Sequence, residues 1–108
     1  MCSSDLGRGT SRNNIYFSRP SVLAWHHYAI VIDTTASAAN QILAYVDGKA
    51  VSVTKGASGT GAGKFASAML YFMSRAGTTR FAPASLDEVA IYNTALTATQ
   101  ISQHYAAR

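Results

Sequence analysis

A single cysteine, Cys2, leaves no partner for an intrachain disulfide. No apolar run approaches the roughly eighteen residues that a membrane-spanning helix needs. Residues 1–6 also lack the apolar stretch of a signal peptide. Charge is scarce: Asp, Glu, Lys and Arg make up 13% of the chain, about half the usual share. Lys and Arg exceed Asp and Glu to give a net charge of +4, but Arg8, Arg12, Arg19, Lys49, Lys55, Lys64, Arg75, Arg80 and Arg108 are scattered. They form neither a run nor a helical stripe, so a nucleic-acid footprint is not supported. A mildly basic solvated surface accounts for them.

What is present is apolar and small. Hydrophobic residues are 48% of 108, enough for a packed core and against disorder, and the length suits one domain. Ala, Ser, Thr and Gly fill the place of charged residues, a composition common in secreted or surface β-domains.

Residues 1–6 look foreign to the domain. A GTG start followed by TGC-TCT-TCC-GAT-CT encodes them, and that string matches a common sequencing-library adapter. They are therefore expected to be a non-native leader. Residues 7–14 are Gly, Arg, Ser, Thr and Asn and predict a loop. Ile15, Tyr16 and Phe17 form a short strand-favouring run that Pro20 ends.

Residues 25–33 predict the strongest strand. Tyr28, Ile30 and Ile32 share one face, and Trp25, His27, Ala29 and Val31 share the other. Both faces are largely apolar, so the strand is expected to be central and covered on both sides, with Trp25 in the core. Residues 34–40 read as a connecting loop. A second strand follows over 41–46, with Ile42, Ala44 and Val46 on one face. Asp47-Gly48 then precedes another β-favouring run, 49–53. An Asp-Gly pair in that setting predicts a two-residue type I′ hairpin, whose central residues both need positive φ.

Residues 55–64 hold Gly56, Gly59, Gly61 and Gly63 and predict a flexible loop. No Gly-Lys-Ser/Thr ending follows a strand there, so a phosphate cradle is not supported. Residues 69–74 predict another apolar strand, and 75–84 a loop. Residues 86–92 alternate as a strand, Asp87, Val89 and Ile91 on one face. Thr97 and Gln100 then fit a capping box, with Leu96 and Ile101 as its hydrophobic staple, opening a helix of about ten residues. Five or six strands, hairpin chemistry and one short C-terminal helix predict an all-β antiparallel sandwich.

Three of these segments carry a family resemblance. Residues 25–33 (W-H-H-Y-A-I-V-I-D) resemble the "W-H-H-V-A" strand of laminin G-like domains. Residues 43–51 (L-A-Y-V-D-G-K-A-V) are similar to their "L-Y-V-D-G" hairpin. Residues 86–97 (L-D-E-V-A-I-Y-N-T-A-L-T) resemble their terminal "I-D-E-V-R-I-Y-N-R-A-L-S" segment, with Ala90 in place of the usual basic residue. The resemblance covers residues 15–106 and implies the jelly roll of the concanavalin A-like lectin/glucanase superfamily. Full domains of that family are about half again as long, so residues 15–108 are expected to be a partial domain lacking its N-terminal strands. Such a fragment should expose core and open edges, be poorly soluble, or recruit a partner edge.

The resemblance also implies function: non-catalytic recognition of carbohydrate or protein ligands, in a larger extracellular or cell-surface protein with other domains. Two alternatives stand beside it, an accessory domain of an extracellular glycoside hydrolase or protease, and a structural spacer. Glycosidase chemistry needs two carboxyl groups across the scissile bond. Asp87 and Glu88 are adjacent on the predicted strand and point apart, Asp47 belongs to the turn, and the glucanase Glu-x-Asp-x-x-Glu strand is missing. No catalytic residue is therefore assigned. His26 and His27 also point apart, so they make no joint metal pair, and His27 is expected to be a hydrogen-bonded structural residue. Asp87 is expected to accept hydrogen bonds from loop N–H groups or His27. The family often binds calcium at a rim, so Ca²⁺ is allowed in the intact domain; Asp33, Asn40 and Asp47 lie near strand ends, but no spacing identifies ligands. Tyr71, Arg75, Arg80 and Phe81 flank one loop and are the candidate ligand contacts, an aromatic platform with cationic neighbours.

Overall fold

The computed structural model describes residues 2–8, 11–21, 23–58, 69–74 and 77–108. Among the described residues, six strands and one helix follow in order: β1 (Cys2–Arg8), β2 (Ser11–Phe17), β3 (Tyr28–Ile32), β4 (Ile42–Val46), β5 (Lys49–Val51), β6 (Thr54–Ser58) and α1 (Ala98–Ala106). They make two antiparallel three-stranded sheets, β1-β2-β6 and β3-β4-β5. The all-β reading with one short C-terminal helix is therefore what the chain adopts.

The core lies where β2 meets β4. Ile15 and Phe17 from one sheet pack with Ile42, Ala44 and Val46 from the other, flanked by Ile32, Val51 and Val53. The alternation of β4 sends Ile42, Ala44 and Val46 into this layer and Tyr45 to the opposite face, where it is also buried. β4 is thus the strand covered on both sides. Lys55 of β6 reaches the carbonyl of Ala38, tying sheet β1-β2-β6 to the loop that precedes β4.

Two-residue hairpin geometry joins β4 to β5. Val46 pairs with Lys49, and Asp47 and Gly48 adopt φ 50° and 75°, the double positive φ of a type I′ turn. Gly48 has a second reason to lack a side chain. A Cβ there would lie 3.1 Å from Cβ of Tyr105 and 3.3 Å from Cα of Ser102, so the bare glycine lets α1 approach the turn. The helix itself starts on a complete capping box: Gln100 N–H donates to Thr97 Oγ1 at 3.3 Å, and Thr97 N–H donates to Gln100 Oε1 at 2.9 Å. Ile101 is buried below it.

Five expectations are corrected in whole or in part. The loop expected over 7–14 is partly overturned: Gly7 and Arg8 lie in β1, and Ser11 to Asn14 lie in β2, because the polar residues find an antiparallel register, Arg8 opposite Ser11; residues 9 and 10 lie outside the described residues. β3 is shorter than 25–33 and stands at a sheet edge rather than centrally; sheet β1-β2-β6 packs over β4, so Trp25 is 65% exposed instead of core. Residues 69–74 form no strand, since Met73 takes φ 56°, a left-handed conformation that breaks a pleat. Residues 86–92 form none either. Glu88 adopts φ 50°, and its N–H is taken by Asp87 Oδ1 at 2.8 Å, so the local side-chain bond competes with any ladder. The glycine loop predicted over 55–64 is partly overturned, because 55–58 belong to β6; 59–64 lie outside the described residues.

One irregularity marks the first sheet. The β2–β6 register shifts between Asn14 and Ile15. There Asn14 is buried and donates from Nδ2 to the Tyr16 hydroxyl at 2.7 Å. Both crowd Gly56, where a Cβ would come within 2.4 Å of the Tyr16 ring.

Candidate functional site

Two polar centres stand out: an outward loop and a corner. The loop spans the candidate ligand contacts. Ala82 N–H donates to the Met73 carbonyl at 2.8 Å, closing the excursion between them. Gly77, at φ 68°, lies against the ring of Tyr71, so that a Cβ there would sit 3.1 Å from Cε1. Tyr71 also directs its hydroxyl to Met69 Sδ at 3.8 Å. Arg80 turns through φ 54° and hands the chain to Phe81. Tyr71, Arg80 and Phe81 are all exposed, Phe81 at 66%. Arg75 lies outside the described residues. Arg80 and Phe81 within this stretch, and Tyr71 just before it, are thus exposed to solvent.

The corner is built by strand register. Tyr28 pairs with Val46, which sets residue 27 opposite residue 47. Asp47 N–H donates to the His27 carbonyl at 2.8 Å, and His27 N–H returns a bond to Asp47 Oδ1 at 3.0 Å. Asp47 Oδ2 contacts His26 Nδ1 at 2.8 Å. Burial pushes the Asp47 carboxyl up, but the His26 ring bond, the His27 N–H and the positive charges of His26 and Arg108 outweigh it and hold the group below the usual carboxylate range. The sequence reading left Asp47 in the turn and missed this clasp. Its signal was the hairpin register, which counts residues 27 and 47 into one pair.

The remaining predicted residues fall apart in space. The His27 ring packs against Tyr105 at 6.1 Å between centroids, and its buried Nδ1 has no hydrogen-bond partner among the described residues; the clasp uses its main chain instead. Arg108 lies over the ring of Tyr105, 4.1 Å from its centre. Asp87 accepts from Glu88, not from His27. Asp33 accepts from the hydroxyl and N–H of Thr35 at 2.6 and 2.8 Å, and these bonds, against a small burial effect, lower its carboxyl from the usual range. Asp33 follows the Ile32 end of the β3–β4 ladder and Asp47 follows the Val46 end. They sit at opposite ends of the sheet, so Asp33, Asn40 and Asp47 are not one ligand set. Among the described residues, no group of three or more His, Cys, Asp or Glu is arranged to hold a metal ion.

Among the described residues, no helix is long and apolar enough to cross a membrane. Residues 6–102 match a family model of laminin G type described as the concanavalin A-like lectin/glucanases superfamily. No curated protein and no solved structure matches the chain.

Proposed function

Because the chain belongs to the laminin G-like family of the concanavalin A-like lectin/glucanases superfamily, we propose that it is a non-catalytic module that binds carbohydrate or protein, carried by a larger secreted or surface protein. Domains of this family are generally binding modules, generally non-catalytic and typically extracellular. The observation that carries the reading is the exposure of Arg80 and Phe81, in the stretch whose ends are joined by the bond from Ala82 N–H to the Met73 carbonyl, and of Tyr71 just before it. Aromatic faces stack on apolar ligand surfaces while the guanidinium supplies several directed donors. Loops on a sheet scaffold commonly carry recognition. The carboxylates argue the same way from the other side. Asp33, Asp47 and Asp87 are each engaged by neighbouring donors, which is the chemistry of structural acids rather than of a facing pair across a cleft.

The test is binding of the 108-residue chain to a panel of neutral and charged oligosaccharides and to immobilised extracellular proteins, with and without calcium. The expected result is saturable binding that Tyr71→Ala or Phe81→Ala weakens about tenfold, equivalent to about 1.4 kcal/mol, with circular dichroism unchanged. Silence across the whole panel would overturn the reading. Release of hydrolysis products from any oligosaccharide would overturn its non-catalytic part.

A further inference from the structure

Asp47-Gly48 is the one step in the sequence where Asp or Asn precedes glycine. That pair carries a reactivity of its own. Glycine has no side chain to shield its nitrogen, so the Gly48 nitrogen can attack Cγ of Asp47. A C–N bond forms, and the carboxyl OH and the amide proton leave together as water. Water then opens the five-membered ring. Attack at Cγ restores aspartate. Attack at the main-chain carbonyl carbon leaves the chain running through Cβ and Cγ, as isoaspartate. The water lost in the first step is regained in the second, and nothing is oxidised or reduced.

The fold opposes ring closure at three points. Both carboxyl oxygens of Asp47 are tethered to the neighbouring strand end, Oδ1 by the His27 N–H at 3.0 Å and Oδ2 by His26 Nδ1 at 2.8 Å. Burial pushes this carboxyl up, but those bonds and the charges of His26 and Arg108 outweigh it and keep it ionised, and a carboxylate has no OH to give up as water. The turn itself is the second obstacle. Asp47 and Gly48 hold φ 50° and 75°, and the first central residue of a type I′ turn has ψ near about +30°. That ψ points the next nitrogen away from Cβ, whereas the ring needs both on one side of the Cα–C bond. The third is α1, which packs so close to Gly48 that a Cβ there would lie 3.1 Å from Tyr105 Cβ. The helix limits rotation of the Asp47–Gly48 peptide.

We propose that Asp47 is a modification site that the fold keeps closed, isomerising to isoaspartate when the hairpin opens and not while the clasp and α1 hold it. The change runs one way with respect to folding. Isoaspartate adds a carbon to the main chain of a two-residue turn that sets Val46 opposite Lys49, so the register can no longer close. The carboxylate moves to the α position, off the reach of His26 and His27. A chain that has isomerised therefore does not rebuild the corner, and time spent open is what the site records. The other acids serve as internal controls. Asp33 precedes Thr34 and Asp87 precedes Glu88, whose side chains shield the attacking nitrogen.

Peptide mapping by mass spectrometry tests this, with the 108-residue chain aged at one pH in native buffer and in concentrated urea. The expected result is isoaspartate at residue 47, and not at 33 or 87, accumulating at least about tenfold faster in urea, because in the fold the reaction must wait for local opening. His26→Ala, shown to be folded by circular dichroism, is expected to isomerise faster than the parent in native buffer, since it frees Oδ2. After the urea is removed, the refolded fraction of the parent is expected to be depleted of isoaspartate and the fraction that fails to refold enriched in it. Equal rates in buffer and urea overturn the proposal. So does a folded His26→Ala no faster than the parent, or isoaspartate shared evenly between refolded and unrefolded chains. Should His26→Ala not fold, the rate comparison and the refolding partition of the parent decide.

Discussion

At the Asp47-Gly48 corner, the polar groups of the turn are engaged and the chain is locked by contacts from three sides. The carboxylate spans His26 and His27, the glycine admits α1, and Val46 below is buried. Along residues 86–92, Leu86, Val89, Ile91 and Tyr92 are each more than half exposed, and Glu88 spends its N–H on the side chain of its neighbour Asp87. Both regions carry family-like sequence. The difference is the range of the interactions each needs. A two-residue turn closes on itself and on a helix capped by its own residues. An extended segment needs another strand beside it before its alternation means anything.

Substitutions that break this comparison can be ranked. The largest effect is expected in the core: Ile42→Ala should cost about 2–5 kcal/mol in urea unfolding, whereas Ile91→Ala, 74% exposed, should stay within about 0.5 kcal/mol. Equal losses at the two sites would erase the distinction between the buried core and the exposed segment 86–92. Gly48→Ala comes next, at about 1–3 kcal/mol, since alanine must hold φ 75° and press on Tyr105; thermal melting measures it.

Asp47→Asn should cost roughly 1–2 kcal/mol, the loss of charge-assisted bonds reduced by partial exposure. Its pH dependence sharpens the test. The folded carboxyl lies below its unfolded value because the His26 and His27 bonds and nearby positive charge outweigh burial. The stabilisation is therefore complete above the unfolded pKa, about 3.9, and is lost as pH falls through the lower folded value. The stability gap between parent and Asp47→Asn should be constant near neutrality and narrow below about pH 4. A gap that widens on acidification would contradict the clasp. The smallest effect is expected at the helix start, where Thr97→Ala should lower stability by about 1 kcal/mol, read from the denaturation midpoint.

Local chemistry made much of this legible in advance. Asp47-Gly48 could be read as a type I′ turn because few residues tolerate two positive φ angles in succession. Thr97 and Gln100 could be read as a cap because the bonds lie within four residues. Alternation in residues 28–32 and 42–46 correctly sorted Ile42, Ala44 and Val46 onto one face. Residues 25–27 and 86–92 misled for a shared reason: alternation states which residues share a face, and says nothing about whether a neighbour arrives to cover it. Trp25 is exposed for that reason. Of the candidate ligand contacts, sequence placed Tyr71, Arg80 and Phe81 around one loop. It had no means to see the left-handed turns at Met73 and Arg80 that shape that loop.

The chain's order of residues alone determined an all-β body with a tight hairpin and a capped terminal helix, because those features rest on φ preferences, side-chain alternation and bonds between near neighbours. Tertiary structure decided which strand is buried on both sides, and that Asp47 rather than Asp87 holds the histidine segment. These outcomes depend on register and on how far one sheet overlaps the other, quantities set by contacts between residues twenty or more positions apart.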